Sequence, residues 1–196
     1  MTDVYYTIAA PAEAQIREKM SRFIAFAHPA HSVDEAKEII EKYRNEYHDA
    51  RHVCWAYTIG ADRALWQLND NGEPSGTAGK PILGQINSFN LTDIVIVVVR
   101  YFGGIKLGTP GLIAAYRTAA REAIEQAQII ECHDMSEIIF HFPYQAMNDV
   151  MRVLKRSEAT VTDRRFDNTC EITLTIRKDH YDSLRTTLLN IDGVTL

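Results

Sequence analysis

Ile94-Val-Ile-Val-Val-Val-Arg-Tyr-Phe-Gly-Gly-Ile-Lys-Leu-Gly-Thr-Pro110 decides the fold. Six aliphatic residues without a polar interruption describe a strand buried on both faces, and the run stops abruptly at Arg100. Beyond the glycines, Thr109 suits a helix N-cap and Pro110 a first helical residue. Leu112, Ala115, Ala119, Ala123 and Ala127 then supply a small-residue face for a helix ending near Ile130. A central strand feeding a packed helix predicts an α+β domain.

Working back toward the N-terminus, Val4, Tyr6 and Ile8 alternate with smaller or polar residues, and Arg22 to Ala27 is apolar and aromatic, so residues 4–27 read as extended segments. Ser32 and Glu35 have capping-box spacing. Ala36, Ile39, Ile40, Tyr43 and Tyr47 follow at helical period, which predicts a helix over 33–47. Residues 52–59 and 65–68 are rich in aromatic and β-branched side chains and read as a hairpin. Asp70-Asn-Gly-Glu-Pro-Ser-Gly-Thr-Ala-Gly-Lys-Pro81 is too rich in glycine and proline to be regular at its start. It reads as a loop running into a short helix over 82–89.

Toward the C-terminus a second pattern takes over. Ile138, Phe140 and Phe142 alternate as a strand; Met147, Val150, Met151 and Leu154 mark a helix; Val161 lies in a short strand; and Asp167-Asn168 makes a turn. Cys170, Ile172, Leu174 and Ile176 form another strand, Asp179 caps a helix through Tyr181, Leu184 and Leu188, and residues 194–196 begin a last strand. The order βαββαβ is the ferredoxin-like split unit. Two domains are expected, 1–131 and 132–196.

The 196 residues are 46% hydrophobic and 24% charged, enough apolar material for a buried core. Net charge is -5, with 13 basic against 16 acidic residues over 1–131 and 8 against 10 over 132–196, so neither half is a basic arm. Any nucleic-acid contact must be a local patch. Three scattered cysteines, Cys54, Cys132 and Cys170, suit neither a disulfide scaffold nor a Cys-rich zinc site. The first residues carry an acid at Asp3 and show no basic-then-apolar run, and no aliphatic run approaches the roughly 20 residues that span a bilayer. A soluble cytoplasmic protein is expected, without membrane association.

Nucleotide and hydrolase motifs fail. Pro74 and Pro81 break a phosphate loop around Gly79-Lys80, 103–108 does not satisfy GxGxxG, and in 72–76 the serine falls one place late for a nucleophile elbow. His48-Asp-Ala-Arg-His52 lacks the helix that HExxH zinc binding needs, so no metal or other cofactor is expected. What remains are basic and glycine positions at element ends. Arg22, Arg51, His52, Lys80, Arg100, Tyr101, Gly103, Gly104, Lys106 and Gly108 read as a phosphate or RNA-backbone surface, with Tyr101 or Phe102 able to stack on a base. The competing structural explanation is that Arg100 pairs with Asp70 or Glu73 and that the glycines serve turns.

Lys19-Met-Ser-Arg-Phe23, Ala50-Arg-His52, Asp70–Gly79 and Val99–Gly108 together resemble the IMPACT/YigZ family, with Met20 and Lys106 as departures from its usual pattern. The resemblance implies that the first domain has a fold shared with a small-subunit ribosomal protein domain and domain IV of elongation factor G. It implies that the second resembles that factor's domain V. The starvation signalling of eukaryotic members uses an additional N-terminal domain and is not carried over. The implied function is a non-enzymatic, translation-associated protein that binds the ribosome or structured RNA. Two other classes stand beside it. One is an enzyme acting on a small phosphorylated or peptide-like substrate in a cleft of Asp70, Glu73, Ser75, Gly76 and Thr77 near His52. The other is a module docking a protein partner on the ferredoxin-like sheet.

Overall fold

The structure, a computed structural model, describes residues 4–167 and 169–196. The chain forms two compact units, one of Tyr5–Cys132 and the other of His133–Leu196 with Val4.

In the first unit the strands are β1 (Val4–Ile8), β2 (Ala12–Glu18), β3 (Ser21–Pro29), β4 (His52–Ile59), β5 (Leu65–Asn69), β6 (Ile94–Tyr101) and β7 (Ile129–His133). The helices are α1 (Val33–Glu46), α2 (Gly79–Ser88) and α3 (Gly108–Gln126). Five strands make an antiparallel sheet in the order β2-β3-β6-β4-β5, and β1 and β7 form a separate two-stranded sheet. The apolar run is therefore the central strand. It is buried twice because helices cover both faces. Ile94, Ile96 and Val98 pack with Phe23, Ala25 and Cys54 under α2 and α3, while Val95, Val97 and Val99 pack with Phe26, Val53 and Trp55 under Ala36, Ile40 and Tyr43 of α1.

At the end of β6 this alternation places the site. Arg100 lies opposite Phe23 of β3 and His52 of β4, on the α3 face, whereas Tyr101 lies opposite Arg22 on the α1 face.

The Ser32 cap is present, its Oγ accepting the Glu35 amide at 3.1 Å. Glu35 reaches one residue further out than a capping box requires, taking the His31 amide at 2.7 Å. Three helix ends differ from the expectations. α2 begins at Gly79 rather than near Ile82 because the Asp70 carboxylate accepts the amides of Ala78 (3.0 Å) and Gly79 (2.8 Å), a cap supplied from far back in the chain. α3 begins at Gly108 with no side-chain cap, so Thr109 does not serve as one. Pro110 fits because amides in the first turn need no helical acceptor. α3 also ends earlier than expected, at Gln126, since Ile129 onward is claimed by the β1–β7 pairing.

The second unit comprises β8 (Met135–Phe142), a single 3₁₀ turn (Tyr144–Ala146), α4 (Met147–Arg156), β9 (Thr160–Phe166), β10 (Cys170–Arg177) and α5 (Lys178–Leu189). Its sheet order is β8-β10-β9, antiparallel. The expected last strand is reduced to one bridge, in which His141 and Thr195 exchange backbone bonds of 2.8 and 2.9 Å beside β8. The resulting order, fourth-first-third-second, is that of a ferredoxin-like unit. Ile138, Phe140, Phe142, Ile172 and Leu174 meet Val150 and Leu154 of α4 and Leu184 and Leu188 of α5. Asp179 does not cap α5: it sits in the first turn and takes Arg177 at 3.2 and 2.6 Å. The expected Asp167-Asn168 turn falls partly outside the described residues.

Candidate functional site

The Glu73–Arg100 pair forms the floor of the site. Arg100 is 5% exposed and Glu73 8%, and Arg100 Nη1 donates to Glu73 Oε1 at 2.6 Å. Tyr116 of α3 donates its hydroxyl to the same oxygen at 2.9 Å. Arg100 Nη2 lies 3.4 Å from Ser21 Oγ, and the guanidinium sits against the rings of Phe23 and Phe102. Its Nε has no hydrogen-bond partner among the described residues. Taking two such charges out of water costs several kcal/mol each, offset here by their contact and by the Tyr116 hydroxyl.

Around this pair opens a cleft of about 490 Å³, lined by Arg51, His52, Glu73, Arg100, Phe102, Lys106 and the start of α3. His52 donates Nδ1–H to the Asn71 carbonyl at 2.8 Å, which turns its Nε2 toward Glu73, 4.0 Å from Oε1. Arg51 and Lys106 are exposed, and neither has an ion-pair partner among the described residues. Gly108 and Thr109 line the same cleft as the first residues of a 19-residue helix that has neither a side-chain cap nor an acid in its first turn. Helix geometry leaves their N–H groups without intrahelical acceptors and directs the positive end of the dipole there.

The structure thus brings Arg51, His52, Glu73, Arg100, Lys106 and Gly108 together and separates the rest. Arg22 and Tyr101 are on the other face, the guanidinium 4.5 Å over the tyrosine ring and the hydroxyl donating to Asp49 at 2.7 Å. The aromatic that faces the cleft is Phe102, 44% exposed. Lys80 lies in a separate depression with Gly76 and Arg117. Gly103 packs so closely on the Met20–Ser21 backbone that a Cβ would collide with the Met20 carbonyl, so its need for glycine is internal. Gly104, at φ +88°, faces open space.

Asp70 is a loop organiser. One oxygen takes the Ala78 and Gly79 amides and the other takes Gly76 at 2.8 Å. Thr77 is buried and donates to the Pro74 carbonyl at 2.6 Å, and Ser75 is exposed in the loop. Behind Glu73, the Cys54 thiol lies 3.0 Å from the Asp70 carbonyl and 3.3 Å from Tyr116 Oη. Burial pushes its pKa up to about 12, so it is a protonated core residue and not a nucleophile. Burial likewise raises the Tyr116 hydroxyl, keeping it a donor. Sequence reasoning missed Tyr116 and Ser21. A tyrosine set in a stripe of alanines, one turn after Leu112, was the available signal.

An α+β unit with a cation-lined cleft at a helix start, followed by a ferredoxin-like unit, defines the class. The family model for the Impact N-terminal domain matches residues 19–124. The chain is 34% identical over 171 residues to the IMPACT family member YvyE of Bacillus subtilis, covering 87% of this chain and 79% of that one. To the IMPACT family member YigZ of Escherichia coli it is 37% identical over 155 residues, covering 78% and 76%. A solved structure described as a hypothetical protein covers 97% of this chain and 93% of its own, with a TM-score of 0.76 and 30% identity. Another, of the two-domain translational regulator Yih1, shares 26% identity over 62% of this chain and 47% of its own, with a TM-score of 0.37. The chain belongs to the IMPACT family.

Proposed function

We propose that the chain is a translation-associated regulator that binds the ribosome or structured RNA without catalysis, and that the α3 cleft contacts the RNA phosphate backbone. One observation carries this: Arg51, Lys106 and the Gly108–Thr109 amides converge on one cleft whose sole lining acid among the described residues, Glu73, is already paired with Arg100. The field there is positive although the whole chain carries -5. Kinship supports the translational part, since the similar protein Yih1 is described as a translational regulator. The likeness of the two units to domains IV and V of elongation factor G belongs to the same proposal.

The geometry weighs against hydrolysis. Both Asp70 oxygens are occupied by backbone amides, which leaves that carboxylate no free oxygen for acid–base work, and Glu73 is anchored through Oε1 by Arg100 and Tyr116.

Co-sedimentation with purified ribosomes tests the proposal. Wild type should pellet at low salt, Arg51→Glu/Lys106→Glu should stay in the supernatant, and Lys37→Glu, on α1 across the sheet, should behave as wild type. Pelleting of the double variant would remove the cleft from the interface.

A further inference from the structure

We infer that the cleft takes a nucleoside phosphate from an unpaired nucleotide, with the phosphate at the start of α3 and the base stacked on Phe102. This rests on the RNA-binding proposal and names the form of RNA. Three observations converge.

The anion end is built from the Gly108 and Thr109 amides, flanked by Arg51 and Lys106. Behind them is Arg100, 95% withdrawn from solvent, which lines the floor of the cleft with its charge already shared with Glu73. A dianionic or diester phosphate supplies the acceptors that these donors lack.

The aromatic end is Phe102. It is 44% exposed, lines the same cleft, and is backed by the Arg100 guanidinium carbon 5.6 Å from its ring centre. A cation behind the ring and an open remainder in front make a stacking platform. The neighbouring Tyr101 cannot serve, because it lies on the opposite face of the sheet, outside the cleft, with its hydroxyl bound to Asp49.

The third observation is size. About 490 Å³ lies within the roughly 300–1,000 Å³ of small-ligand sites, enough for one nucleotide. A base-paired nucleotide has no free face for Phe102, so the arrangement selects unpaired RNA or a free nucleotide.

The test measures fluorescence anisotropy of three labelled probes on the full chain: a six-nucleotide single-stranded RNA, the same backbone without bases, and a duplex. Unlabelled adenosine monophosphate and inorganic phosphate serve as competitors. The single strand should bind most tightly, and Phe102→Ala should weaken it about 5- to 160-fold, the range expected for loss of one stacked base. Phe102→Trp should retain binding, and Phe102→Ala should leave the abasic probe unchanged. Competition by adenosine monophosphate but not inorganic phosphate would identify a free-nucleotide site; competition by neither would identify unpaired RNA.

Equal binding of single strand, duplex and abasic probe, with Phe102→Ala matching wild type, would overturn the stacking inference while leaving phosphate contact intact. Binding of none of the probes overturns it as well, and ribosome pelleting that persists in that case assigns the ribosome contact to protein. Superimposable thermal melts of Phe102→Ala and wild type exclude misfolding as the cause of lost binding.

Discussion

At the scale of single residues, the Glu73–Arg100 pair makes the site possible and is also its largest liability. Both side chains are almost fully enclosed, at 3% and 6% exposure, so removing one partner strands the other charge in the core. Glu73→Ala should lower the free energy of unfolding by about 3–5 kcal/mol, measured by urea denaturation. Glu73→Ala/Arg100→Met should recover much of that loss, because no charge is left buried. A single-variant loss below about 1 kcal/mol would mean that water reaches the pair. The sequence raised both fates for Arg100, phosphate ligand or partner of Asp70 or Glu73. The structure selects Glu73, and leaves the buried Arg100 Nε without a partner among the described residues.

At the scale of elements, local signals were legible where the residues that decide an element lie within it. Ile94–Val99 announced the central strand. Ser32 announced the start of α1, and since its Oγ accepts the Glu35 amide, Ser32→Ala should cost about 1 kcal/mol in a denaturation experiment. An unchanged midpoint would show that the Glu35–His31 bond alone holds that end. Elements whose bounds are set from a distance were not legible. Asp70 starts α2 from eight residues upstream of Ala78, and β1 claims β7 from the other end of the unit, shortening α3. The candidate site divides in the same way. The sequence grouped Arg100 and Tyr101 on one surface, whereas the strand register puts them on opposite faces, and only packing reveals that Phe102 is exposed and that Tyr116 reaches Glu73.

At the scale of the whole molecule, protonation of buried groups sets an alkaline limit. The Cys54 thiol rises from an ordinary 9.0 to about 12, and Tyr5 and Tyr43 rise to about 12, in each case chiefly through burial. The folded chain therefore holds protons that the unfolded chain releases first. The stability contributed by these groups is complete below about pH 9 and is lost as pH climbs toward 12. Urea midpoints should fall across that window, and Cys54→Ala should fall less steeply than wild type; parallel curves would assign the effect to the tyrosines. Net charge works at this scale too. With -5 overall, long-range attraction to RNA is absent and binding depends on the few cations at the α3 cleft. The central claim is tested most directly by the salt dependence of ribosome binding, comparing wild type with Arg51→Ala/Lys106→Ala. The account predicts a log–log slope shallower by about 0.7 for each cation removed from a single-stranded contact. Identical slopes in the two proteins would contradict it.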